Sequence, residues 1–318
     1  MAVIENSKLA IVGAGAVGTS LAFSALLRGS AREVALYDIR TDKVEAEVLD
    51  LAHGTAFTGA SRITGGSDIG VVHGANVAVV TAGAKQEPGQ SRLDLAGANV
   101  AILRDLMPAL VEQAPDAIYM LVTNPCDVLT VAAHRFGGLP ANRVFSSGTV
   151  LDSSRLKWLL AERVGVAPSS VHAMMVGEHG DSEFPLWSQA RIGPIPIRDW
   201  APAGRRALDG AELDRIADDV VHAAYKVIAG KGATNYAIGV SGARIVEAIL
   251  RDEHAILPVS SILTDYHGVS GVALSVPTIV DSSGIAEVLP LPFSDEETAR
   301  FQASAEVVAT SIQTLGLD

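Results

Sequence analysis

Short apolar runs alternate with stretches of helical periodicity through the first half of the chain. The runs at 9–12, 33–37, 77–81, 117–122 and 144–146 predict strands, and the segments 17–27, 43–51, 93–113 and 128–136 predict helices. Strands rich in Val and Ile that alternate with helices imply a parallel sheet covered on both faces. The pattern therefore predicts an α/β, Rossmann-type doubly wound sheet, which takes ligands at the carboxyl ends of its strands, where strand order reverses.

The second half reads differently. A helix is predicted over 152–164, then an apolar strand over 171–176 and two long helices over 211–229 and 235–251. Strand-like runs follow at 255–263, 269–280 and 285–289, with the turn Asp281-Ser282-Ser283-Gly284 between the last two. Ser294-Asp295-Glu296-Glu297 has the form of a capping box opening a last helix to about Leu315. These elements suggest an α+β domain. A chain of 318 residues exceeds the roughly 250–300 residues at which single cores stop growing. Two domains are expected, 1–146 and 147–318, packed as one two-lobed unit because no low-complexity linker separates them.

Composition narrows the options. Charged residues make up 19% of the chain, below the usual level of about 25%. Buried subunit contacts would explain this, and so would a simple surplus of Ala and Val. The net charge of −12 argues against nucleic-acid or membrane-surface partners, which require clustered Lys and Arg. An anionic substrate would need its own local arginines. Cys126 is the single cysteine, so an intrachain disulfide and a cysteine zinc site are excluded. No apolar run nears the ~18 residues of a membrane span, and the first eight residues lack a secretory pattern. A cytoplasmic location is expected.

Residues 9–18 read strand, then Gly13-x-Gly15-x-Val17-Gly18, then helix. In that context the glycines allow a tight turn, close approach of a pyrophosphate, and close helix–strand packing. Asp38, twenty positions after Gly18, suits a ribose 2′-hydroxyl and repels a 2′-phosphate, favouring NAD over NADP. Three further segments sit at strand ends or helix starts. Gly177-Glu178-His179-Gly180-Asp181 places a histidine between glycines and carboxylates after an apolar run, which suits a proton donor. Asp152 and Arg155, three apart, share a helix face and can point at the same place, although taken alone they read first as a local surface ion pair at a helix start. Residues 81–92, with Gly83, Gln86 and Arg92, suit a lid; Thr123-Asn124-Pro125 fits a strand-end turn. No Walker A sequence, G-x-S-x-G elbow, Tyr-x-x-x-Lys pair or His-x-x-x-His pair competes. A non-catalytic NAD sensor is the alternative from another class, but it would need no proton donor.

Taken together, these motifs resemble the L-lactate/malate dehydrogenase family, from Gly13 to the last helix. The resemblance implies NAD bound by Gly13, Gly15, Val17, Gly18, Asp38, Gly83, Thr123 and Asn124. It implies His179 as acid/base, Asp152 as its orienting partner, Arg155 as the grip on the substrate carboxylate, and Arg92 as a lid arginine stabilising the carbonyl oxygen. Asn124 and Thr234 would also face substrate. In this family the position of Gln86 separates lactate enzymes, with Gln, from malate enzymes, with Arg. The resemblance thus implies reduction of pyruvate by NADH to L-lactate, the last step of fermentative glycolysis, with oxaloacetate/malate as the alternative. It further implies a homotetramer. Lys157 and His172 stand where bacterial members bind the activator fructose 1,6-bisphosphate. There a lysine replaces the usual arginine, and a solvated lysine with a core histidine accounts for the pair equally well. Cys126 reads as a packing residue.

Overall fold

The computed structural model describes residues 4–59, 61–84, 92–202, 204 and 207–317, with Arg92 described by its backbone alone. The first half comprises β1 (Lys8–Val12), α1 (Ala16–Arg28), β2 (Glu33–Tyr37), α2 (Thr41–His53), β3 (Arg62–Gly66), β4 (Val77–Val80), α3 (Arg92–Gln113), β5 (Ile118–Leu121), α4 (Cys126–Gly137) and β6 (Val144–Ser146). The second comprises α5 (Val150–Val164), β7 (Val171–His172), β8 (Met175–Val176), β9 (Phe184–Pro185), β10 (Arg191–Ile192), β11 (Ile195–Pro196), α6 (Gly210–Val221), α7 (Ala223–Lys231), α8 (Tyr236–Leu250), β12 (Ala255–Ile262), β13 (Ala273–Asp281), β14 (Gly284–Val288) and α9 (Asp295–Thr314).

Among the described residues, nine strands form one sheet in the order β14-β13-β12-β6-β5-β4-β1-β2-β3. From β3 to β6 all pairings are parallel. This is the doubly wound order, and strand order reverses between β1 and β4. The strands of the second half do not form a sheet of their own. β12 joins β6 antiparallel through Ser260 and Ser146, so the sheet continues across the expected boundary at 146/147.

Burial explains why the central strands were legible. Every residue of β4 and β5 is buried, as a parallel sheet covered on both faces requires. One apolar cluster packs α3, α4 and α9 on one face, and a second packs α1 and α8 on the other. A third lies among α5, α6, β7, β8 and β10. The two halves are also tied by Arg28, which donates to both carboxylate oxygens of Glu247 at 2.7 and 2.5 Å.

The structure departs from the periodicity in four places. β3 was not predicted: its sequence, Arg-Ile-Thr-Gly-Gly, buries Ile63 alone. The helix expected over 211–229 breaks at His222. The His222 ring lies 2.9 Å from the Asp218 carbonyl oxygen, competing with the helix ladder. The apolar run 171–176 is divided: β7 pairs with β10, and β8 with β9. The strand expected from 269 begins at Ala273, because Tyr266 and Val269 close a turn through reciprocal backbone hydrogen bonds of 3.0 Å. The capping box forms as read: Ser294 and Glu297 each accept from the other's backbone N–H.

Candidate active site

A cleft of about 1360 Å³ opens at the carboxyl ends of β1, β2, β4 and β5, where strand order reverses. Gly13, Gly15, Val17, Asp38, Gly83, Thr123, Asn124 and Thr234 all line it. Its glycine turn is sterically specified. Gly13 has φ of 111°, and a Cβ there would sit 2.7 Å from the Ala82 nitrogen. A Cβ on Gly18 would sit 1.9 Å from the Gly13 oxygen. At Gly15, by contrast, nothing lies within 4 Å of a built Cβ. No side chain caps the start of α1 there, so its N–H groups and positive dipole end face open space suited to a pyrophosphate. The Asp38 carboxylate is held at the end of β2 by the backbone N–H groups of Ala14 (2.8 Å) and Arg40 (3.0 Å). Burial pushes its pKa up, but these hydrogen bonds outweigh it and hold the carboxyl below its usual range. An ionised acceptor therefore waits where a ribose diol would lie. The residues fit a dinucleotide.

Asn99 was not foreseen. It is 1% exposed, accepts from Ala84 N at 2.7 Å and donates to the Asn124 carbonyl at 2.8 Å. It thereby clamps the loops after β4 and β5 together at the cleft. One amide inside a long apolar helix pattern gave no local signal for that long-range role.

The histidine motif follows β8. Its loop is pinned by reciprocal backbone hydrogen bonds between Gly177 and Ser275 (2.9 Å each) and by Glu178 N donating to Ser304 Oγ (2.8 Å). His179 N donates to Asp127 Oδ2 at 2.8 Å. Its ring Nδ1 lies 2.7 Å from Asp152 Oδ2. Asp152 Oδ1 takes the Arg155 guanidinium, so the helix-face pair forms inside the site, not as a surface contact. Asp152 is 1% exposed, while the His179 side chain is 25% exposed.

The electrostatics follow from this geometry. Burial raises the pKa of Asp152, but the charge and hydrogen bond of His179, with Arg155 beside them, hold it below the usual range. For His179, burial favours the neutral ring, yet the charge and hydrogen bond of Asp152 prevail and raise its pKa to about 9. With Asp152 ionised, Nδ1 carries the hydrogen toward it, which leaves Nε2 as the proton-exchanging atom. Asp127 is pushed up to about 6, chiefly by burial. Asp127 and Glu183 were both missed. Asp127 is a lone acid beside apolar sequence, and Glu183 is one of three acids in the His179 segment; neither signal becomes specific until the fold aims the side chain at His179 or Asp152.

Gln86 and the Arg92 side chain lie outside the described residues. Lys157 is half-buried, and burial depresses its pKa. His172 is exposed on β7, so it is not a core histidine. Neither lines the cleft. Cys126 is buried, and burial pushes its thiol well up, consistent with packing.

Comparison with known proteins agrees with the site. The family model for the lactate/malate dehydrogenase NAD binding domain matches residues 7–146. That for the lactate/malate dehydrogenase alpha/beta C-terminal domain matches 149–315. The chain is 52% identical over 314 residues to an L-lactate dehydrogenase of Bifidobacterium animalis subsp. lactis, covering 98% of each. It is 43% identical over 311 residues to an L-lactate dehydrogenase of Thermoanaerobacter pseudethanolicus, covering 98% of this chain and 100% of the relative. Among solved structures, the ligand-bound minor L-lactate dehydrogenase of Enterococcus mundtii superposes with a TM-score of 0.93 at 39% identity, over 97% of this chain and 98% of that one. By its two matched domains, its sheet order and these full-length relatives, the chain belongs to the lactate/malate dehydrogenase family.

Proposed function

We propose that this chain is an NAD-dependent L-2-hydroxy acid dehydrogenase that interconverts pyruvate and L-lactate. The observation that carries the reading is the His179–Asp152 pair, with its 2.7 Å contact and with Arg155 on the other Asp152 oxygen. The name shared by the relatives supports it. Residues 1–146 hold most of the cofactor site, and residues 147–318 supply the proton donor and the grip on the substrate carboxylate. Bound in the cleft, NADH supplies the hydride. Gly13, Gly15 and Val17 would receive the pyrophosphate, with Gly18 allowing the close packing that shapes the turn, Asp38 would take the ribose, and Gly83, Thr123 and Asn124 the nicotinamide end.

The chain's own residues do the rest. Arg155 spends one guanidinium N–H on Asp152 and presents others, in a fixed fork, to the substrate carboxylate. The His179 imidazolium gives its Nε2 proton to the carbonyl oxygen during reduction and takes the hydroxyl proton during oxidation. Asp152 fixes the ring and stabilises its cationic form. Arg92 approaches the developing oxyanion from the lid, and Asn124 and Thr234 complete the walls.

Gln86 offers an amide where a second substrate carboxylate would need a cation, and an unpaired charge is costly to desolvate. The wild type accordingly prefers pyruvate to oxaloacetate. Gln86→Arg shifts the ratio of the two kcat/KM values toward oxaloacetate by roughly tenfold or more, a single charge pair's worth. Steady-state NADH oxidation with both oxo acids checks this; an unchanged ratio contradicts the loop assignment, and wild-type preference for oxaloacetate makes the enzyme a malate dehydrogenase.

The protein assembles as a homotetramer in the cytoplasm. An apolar surface groove of about 510 Å³ between α1 and α2, with Phe23, Leu27 and Phe57 exposed, supports a subunit contact. Lys157 and His172 bind fructose 1,6-bisphosphate at an interface. Repeating the pyruvate assay with the bisphosphate tests this, and identical kinetics would count against it.

A further inference from the structure

Beside the His179–Asp152 pair lies a second acid that the reaction as derived does not use. A carboxylate oxygen of Asp152, one of Glu183 and a ring nitrogen of His179 all lie within 4.8 Å of one another. Glu183 is 4% exposed and Asp152 1%. Two carboxyls buried at this separation do not both ionise without a cation for each. The cations present are already assigned: His179 Nδ1 faces Asp152 Oδ2 and the Arg155 guanidinium faces Asp152 Oδ1. Both charges act on Glu183, but neither His179 nor Arg155 donates a hydrogen bond to its Oε2, which has no hydrogen-bond partner among the described residues. Asp127, facing His179 from α4, is another acid and offers Glu183 no charge compensation.

We propose that Glu183 is a positioning residue, held as a neutral carboxylic acid that donates its O–H to Asp152 and leaves Asp152 as the one ionised partner of His179. This rests on the reading of His179 as the proton donor. Each Asp152 oxygen has a second lone pair free to accept from Glu183 after pairing with His179 or Arg155. The environments also push the two acids apart. Burial and then the charge of Asp152 raise the pKa of Glu183 well above the carboxylate range, whereas Asp152 is held below it. Two neighbouring acids with opposed shifts mark one proton carrier and one charge.

The arrangement has a consequence for the substrate. Asp152 balances one of the two cations, His179 or Arg155, and a neutral Glu183 leaves the other uncompensated. Counted over His179, Arg155, Asp152 and Glu183 the charge is one positive, which favours an anionic substrate; Asp127, on the backbone side of His179, stands outside this count. An ionised Glu183 would cancel that charge and oppose the anion. With Glu183 neutral, the support of the His179 imidazolium falls chiefly on Asp152, with a smaller share from Asp127.

Glu183→Gln tests this, because glutamine keeps a donor and cannot ionise. In the wild-type holoenzyme at neutral pH, the infrared difference spectrum against Glu183→Gln contains the carbonyl stretch of a protonated carboxyl. The alkaline limb of kcat/KM for pyruvate stays at its wild-type pH in Glu183→Gln. In Glu183→Leu, which fills space without a donor, kcat/KM falls roughly tenfold. A carboxylate band in place of the protonated one overturns the proposal, as does a limb lowered by about one pH unit or more in Glu183→Gln. Full activity in Glu183→Leu overturns the positioning role. A limb that persists in His179→Asn counts against His179 as proton donor, and the infrared result still decides the state of Glu183.

Discussion

Replacing His179 with asparagine lowers kcat/KM for pyruvate by about 10²–10⁴-fold, the usual worth of a placed general acid. Asparagine is close in size and can donate one N–H toward Asp152, so the loop keeps its shape. It cannot become a cation and has no proton to give at the Nε2 position. The loop's own anchors are backbone contacts to Asp127, Ser275 and Ser304, so the substitution leaves them in place. NADH affinity stays close to wild type, because the cofactor-lining residues come from other elements. Stopped-flow reduction of pyruvate and fluorescence titration of NADH check both halves. Wild-type turnover in His179→Asn would remove the proton donor from the account.

Arg155→Leu is expected to lower kcat/KM for pyruvate by roughly 10²–10³-fold, mainly through KM. Removing one partner of a buried ion pair costs about 3–5 kcal/mol, here the pair with the substrate carboxylate. Arg155→Lys restores part of the loss at most, because an ammonium lacks the planar two-pronged donor geometry. The variant also strips Asp152 of its Oδ1 partner, but His179 remains on Oδ2, so the site keeps a charge pair. A Tm measurement separates a substrate effect from unfolding. Unchanged KM for pyruvate in Arg155→Leu would place the carboxylate elsewhere.

Legibility in the sequence depended on how local each signal was. The strands β4 and β5 are apolar throughout, β1 and β2 are so after a charged first residue, and the glycine turn with Asp38 lies within one strand–helix–strand unit, so the cleft could be read residue by residue. His179, Asp152 and Arg155 each stood in a short recognisable segment, although nothing local said that residues 27 positions apart would meet. β3 was hidden because an edge strand with one buried side chain and two glycines lacks both alternation and an apolar run. β12–β14 were seen as strands, but their joining to β6 is a long-range pairing that no local pattern encodes. Asn99 and Asp127 were invisible for the same reason: each is a single polar residue whose partners come from other parts of the chain. Glu183 stood in the His179 segment among other acids, and only its meeting with Asp152 singles it out.

The pH dependence of kcat/KM for pyruvate, measured for wild type and Asp152→Asn, tests the central claim most directly. Reduction consumes a proton from the imidazolium, so activity holds below the His179 pKa and falls as pH rises through about 9. Lactate oxidation needs the neutral ring and rises over the same range. In Asp152→Asn the opposing charge is gone and burial remains, so the limb moves to lower pH. A fall near pH 9 in wild type that shifts downward in Asp152→Asn is the result the account predicts. A limb that stays in place without Asp152, or a rate indifferent to pH across that range, would contradict it.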